Sequence, residues 1–158
     1  DSREQGRLLS AALLLSVVAD WFLLYTQAYI SGVICFCCVQ LLHIRRFRPD
    51  ISWFCLGGTL ALVAAFVIDG VTARLFDTLI ALAVVYAALI GVACACAQGG
   101  CWRARLGMLL FVICDINVAV YYLMGSQRAA FLPYVLMWAV YVPAQLLLAF
   151  SVERARRS

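Results

Sequence analysis

Apolar residues run in long unbroken stretches separated by short polar clusters, and no stretch shows the strict alternation of a half-buried strand. Six stretches are long enough to cross a bilayer core, which takes about 20 residues of helix. They are Leu8 to Gln27, Tyr29 to Ile44, Ile51 to Ile68, Leu75 to Ala97, Leu106 to Met124 and Phe131 to Phe150. The breaks carry turn and charge signals: Arg45-Arg46-Phe47-Arg48-Pro49-Asp50, Asp69-Gly70, Gln98-Gly99-Gly100 and Gly125-Ser126-Gln127-Arg128. Thr26-Gln27-Ala28 has no charge, so a tight turn is expected there. The pattern predicts an all-α protein, a polytopic membrane bundle of about six transmembrane helices forming a single domain over residues 1–158. The first stretch is too long and too polar at Asp20 to be a cleaved signal peptide.

Composition strengthens this reading. Hydrophobic residues make up 66% of the chain and charged ones 13%, with a mean hydropathy of +1.01. A soluble domain holds roughly 45–50% apolar residues, so lipid is the expected solvent for most of the surface. The basic residues, all Arg, set the orientation. Ten of the twelve fall on one side of the predicted bilayer: Arg3 and Arg7, Arg45, Arg46 and Arg48, Arg103 and Arg105, and Arg154, Arg156 and Arg157. Only Arg74 and Arg128 fall opposite. By the positive-inside rule both termini are cytoplasmic, and an integral, multi-pass protein of a bacterial inner membrane is expected, with no nucleic acid partner.

Of the eight cysteines, only Cys101 sits in a predicted loop. Cys35, Cys37 and Cys38, and Cys94 and Cys96, lack metal-site spacing and His partners, so they read as small packing residues, and neither a metal nor a cofactor is expected. The fourth stretch carries small residues at Ala83, Ala87, Gly91 and Ala95, and the third at Gly57, Ala61 and Ala65. Such faces let helices approach closely in lipid; packing inside the bundle is the first expectation and a homodimer face the second.

Ionisable groups at the centre of a membrane helix cost about 2.5–3.5 kcal/mol on the insertion scale and mark function by default. Asp20 and Asp115 are two. Counted along their helices at about 1.5 Å per residue, they lie roughly 18 and 14 Å from the predicted cytoplasmic helix starts. They are expected to face each other near the midplane. Tyr86, Asn117 and Tyr141 fall at similar depth, with Gln145 one turn from Tyr141 on the same face and Gln40 nearer the cytoplasmic end. His43, beside Arg45 and Arg46, reads as a headgroup-level residue.

Four segments resemble the lysoplasmalogenase (YhhN-like) membrane protein family. Ser16-Val17-Val18-Ala19-Asp20-Trp21-Phe22-Leu23-Leu24 is similar to its F-S-x-x-G-D-x-x-L-L, with Ala19 where Gly is usual. Tyr29-Ile30-Ser31-Gly32-Val33 through Phe36 resembles F-x-x-G-x-x-x-F. Gly107 to Asp115 followed by Ala119 resembles G-x-x-x-F-x-x-S-D-x-x-x-A, and Tyr141-Val142-Pro143-Ala144-Gln145-Leu146-Leu147 resembles Y-Y-x-A-Q-x-L. Gln40 stands where the family has His, and His43 where it has Tyr. The family usually has eight helices with an early Lys-Pro motif, for which this Lys-free sequence has no counterpart.

The resemblance implies hydrolysis of the vinyl ether bond of a lysophospholipid, with Asp20 and Asp115 catalytic; Tyr141, Gln145, Asn117, Tyr86 and Gln40, the other polar groups within the spans, are expected to bind substrate. The chemistry agrees. Enol ethers hydrolyse by protonation at carbon followed by addition of water, which asks for one protonated acid and one carboxylate. Burial and a neighbouring carboxylate both favour the protonated form of a carboxylic acid. Two other readings use the same residues: a small proton- or ion-coupled carrier, and a non-catalytic lipid-binding member of the family.

Overall fold

The structure is a computed structural model that describes residues 2–48, 68, 72, 77–124 and 127–151. The expected third span 51–68, apart from Ile68, lies outside the described residues, as do its small-residue stripe, Arg74 and the C-terminal arginines. The described residues are all-α: α1 (Ser2–Trp21), α2 (Tyr29–Phe47), α3 (Thr78–Ala97), α4 (Trp102–Met124) and α5 (Gln127–Phe150), with a π-helical turn at Phe22–Thr26. Three helical stretches, Arg3–Thr26, Tyr29–Phe47 and Thr78–Ala97, are long and apolar enough to cross a membrane. The chain divides into two compact units, Arg3–Cys96 and Ala97–Ser158.

In the first unit, α1 and α2 form an antiparallel hairpin. Thr26 Oγ1 donates to the Phe22 carbonyl at 2.9 Å, and the Ala28 amide donates to the same carbonyl at 3.1 Å, so the widened last turn closes on itself. Gln27 then takes a left-handed conformation (φ 54°) and reverses the chain without a glycine. The two helices touch at Gly32. A Cβ there would lie 2.6 Å from Leu23 Cγ and 3.3 Å from the Ala19 carbonyl oxygen, so only hydrogen fits. At the far end Arg45 pairs with Glu4 at 3.6 Å, as the antiparallel register requires. The buried residues of α2, namely Gly32, Phe36, Val39, Gln40, His43 and Arg46 among them, recur at helical spacing on one face.

In the second unit, α4 and α5 pair antiparallel along their length. A Cβ on Gly107 would lie 2.9 Å from Leu148 Cγ and 3.2 Å from the Ala144 carbonyl oxygen. One turn on, the Phe111 and Tyr141 rings meet edge-on at 5.9 Å, and Cys114 Sγ reaches the Met137 carbonyl at 3.6 Å. Arg103 donates to the Phe150 carbonyl at 3.2 Å and Ser151 Oγ to the Leu148 carbonyl at 2.6 Å. These bonds occupy carbonyls that the end of a helix leaves without partners. α5 runs unbroken through Pro143, whose ring faces outward.

Large aliphatic and aromatic side chains cover the outside: Leu14 is 70% exposed, Tyr25 79% and Val84 65%, with Ile116, Val142 and Leu146 also exposed. Such a surface is stable where lipid replaces water. The chain is therefore an integral membrane protein. One packing expectation is corrected. Ala83, Ala87, Gly91 and Ala95 are all exposed, while Ala81, Ile90, Ala93 and Ala97 are buried. The small-residue stripe is thus not the packed face of α3, and nothing lies within 4 Å of a Cβ placed on Gly91.

Candidate functional site

The polar residues anticipated within the spans fall on all five described helices. Asp20 is partly buried on α1, directly after the fully buried Ala19. Because Ala19 abuts Gly32, Asp20 lies at the Gly32 level of α2. Gln40 is fully buried two turns further along α2, about 12 Å away at the helical rise. Its Nε2 donates to Tyr86 Oη on α3 at 3.3 Å, and the Tyr86 ring lies 6.0 Å from Phe36. The first unit therefore joins two of the anticipated binding residues, Gln40 and Tyr86, and sets them apart from Asp20.

In the second unit, Asp115 is partly buried on α4, one turn beyond the buried Phe111. Tyr141 packs on Phe111, which brings it toward the stretch of α4 that carries the carboxylate. Trp138 meets Tyr141 at 6.1 Å with the rings nearly perpendicular, so Tyr141 is held between two aromatics. Asn117 Nδ2 donates one of its two hydrogens to the Ile113 carbonyl at 2.8 Å, within its own helix. Gln145 is level with Gly107, about 12 Å along α4 from Asp115 at the helical rise. Both its side-chain amide atoms are buried with no hydrogen-bond partner among the described residues. Such atoms carry a desolvation cost until something meets them.

Two features escaped the sequence reading. His43 is 1% exposed, not presented to headgroups, and its ring stacks on Phe47 at 6.0 Å. Arg46 is 5% exposed with its guanidinium 5.0 Å from the Phe47 ring centre. Periodicity held the only signal: Gln40 and His43 are three residues apart, and so are His43 and Arg46, which places all three on one helical face. Among the described residues, no three side chains of the His, Cys, Asp or Glu type come together as metal ligands would.

The curated proteins and the solved structures contain no match to this chain. Residues 1–152, nearly its whole length, match the sequence model of the YhhN family. Long apolar helices with polar groups buried among them are thus found together with a match that spans both compact units, and the chain belongs to the YhhN family.

Proposed function

We propose that this protein is a membrane-embedded hydrolase of lysoplasmalogen-type vinyl ether lysolipids, with Asp20 and Asp115 as its acid and base. Membership of the YhhN family over residues 1–152 carries this reading, through the resemblance of that family's motifs around both carboxylates to lysoplasmalogenases. The apolar exterior supports it from the side of physics, since a substrate dissolved in the bilayer reaches the protein through lipid-facing helices.

The reaction begins with transfer of a carboxylic acid proton to the vinylic carbon remote from oxygen. The double bond's electron pair forms the new C–H bond, and an oxocarbenium ion results. A carboxylate takes a proton from water as the water oxygen adds to that cation. The hemiacetal then loses its glycerol oxygen as an alcohol and leaves a fatty aldehyde, with one water consumed and the proton returned. The residues needed are one acid and one base, and a coupled pair shares these roles without a fixed assignment. Tyr141, Asn117, Gln145, Tyr86 and Gln40 would line the path of the lipid.

The test is aldehyde release from a vinyl ether lysolipid by the purified protein. The parent should release aldehyde; Asp20→Asn and Asp115→Asn should each lower the rate by at least about 100-fold, the scale of a lost general acid or base. Both variants should keep the parent's melting temperature within a few degrees, because Asn preserves shape and hydrogen bonding. Parent-like turnover in both variants, or none in the parent, rejects the proposal.

A further inference from the structure

The buried face of α2 between Gln40 and Arg46 is polar where the helix is otherwise apolar. Gln40 is 0% exposed and His43 1% exposed. Gln40 Oε1 and His43 Nδ1 are buried and have no hydrogen-bond partner among the described residues. The Nε2–Tyr86 bond orients the Gln40 amide, which leaves Oε1 on the opposite edge. Three residues apart on a helix, the two side chains start about 5–6 Å from one another. One small group can therefore reach both.

Oε1 accepts only, whereas Nδ1 accepts or donates according to tautomer. A hydroxyl satisfies both: it donates one hydrogen and still accepts. A phosphate or an ester oxygen has no hydrogen for Oε1. The position agrees with a lipid's geometry. Arg45, Arg46 and Arg48 follow within two turns, at the end of α2 that the arginine distribution places at headgroup depth. A lipid whose phosphate lies at that level carries its glycerol one step inward, beside His43 and Gln40. The side chain in the way is Phe47, the last residue of α2, stacked on the His43 ring with the planes 15° apart.

We propose that Gln40 and His43 recognise the free glycerol hydroxyl of a lysolipid, with Phe47 moving aside to admit it, and so select lysolipids over lipids substituted at that oxygen. This rests on the lysolipid hydrolase reading and adds to it the group that distinguishes the substrate. Gln40 lies about 12 Å along α2 from the level of Asp20, so the pair binds and does not react. A buried site built to bond a hydroxyl rejects an analogue lacking it, because its own polar atoms are then left unmet.

The experiment needs no turnover. Two probes are used with the parent protein in nanodiscs: a lysophosphocholine whose chain is joined by a saturated alkyl ether, which cannot undergo vinyl ether hydrolysis, and the same lipid with its glycerol hydroxyl methylated. The hydroxyl lipid should bind at least about tenfold more tightly. Gln40→Met and His43→Phe should each bring that ratio close to one. His43 is the chain's one histidine, so nitrogen labelling of the imidazole gives one Nδ1 signal in the unmodified protein, beside that of Nε2 and free of overlap from any other histidine; the Nδ1 signal is the readout. That signal should shift with the hydroxyl lipid and stay in place with the methylated one, which decides the matter even if a variant fails to fold. Equal affinities with an unmoved imidazole signal mean that water alone fills the pair, and overturn the proposal. Retention of the ratio in both folded variants also overturns it. An equal imidazole shift from chain-free glycerophosphocholine would show a soluble headgroup site in place of a lysolipid one. Binding as expected without aldehyde release from vinyl ether lysolipid would reject the hydrolase reading and leave the hydroxyl site standing.

Discussion

Gln145 shows at the scale of one residue how a buried polar group separates stability from function. Its two amide atoms are enclosed and unmet among the described residues, and replacing such a group by an apolar one of similar size is nearly neutral or stabilising. Gln145→Leu should therefore leave the melting temperature in detergent unchanged or slightly raised. If Gln145 lines the lipid path, the same variant should slow aldehyde release several-fold. A clear fall in melting temperature would mean that its amide supports the fold. Tyr141 differs, since it is wedged between Phe111 and Trp138 and its removal costs packing as well as any contact with substrate.

Between elements, two glycines set how closely helices pair. At Gly32 a methyl group would collide with Leu23 Cγ at 2.6 Å, and at Gly107 with Leu148 Cγ at 2.9 Å. Forcing extra volume into a packed contact costs about 1–3 kcal/mol. Gly32→Ala and Gly107→Ala should each lower the midpoint of thermal unfolding, the first more. Gly91→Ala is the control, because nothing lies within 4 Å of its added methyl and its helix surface is open. It should leave the midpoint where it was or raise it. Equal effects at all three positions would argue that helix propensity, not contact, governs these sites.

For the whole molecule, the distribution of arginines makes a prediction about topology that no single helix carries. Ten of twelve fall on one side of the six expected spans, and that bias sets orientation. Reporter fusions after Arg48, Arg105 and Ser158 should read as cytoplasmic, and one in the loop after Met124 as the opposite side. A fusion after Arg105 that reports the far side would reject the six-span arrangement.

The all-α class and the membrane setting were legible in the chain because both follow from local properties. A run of about 20 apolar residues has no soluble partner large enough to bury it, and in lipid its backbone can be satisfied only as a helix or closed barrel. The family-like segments around Asp20 and Asp115 were likewise a matter of residue order. Which face each helix buries was not. The stripe of Ala83, Ala87, Gly91 and Ala95 had the spacing of a packing face and turned outward, because in a uniformly apolar helix such as α3 lipid and protein neighbours are nearly equal solvents for either side. His43 looked like a headgroup residue from its basic neighbours and became buried once α2 placed it on the face of Gln40 and Phe36. The pairing of Gln40 with Tyr86 joins positions 46 residues apart in sequence. Contacts of that kind arise only when α2 and α3 come together, since nothing local in either helix favours one partner over another.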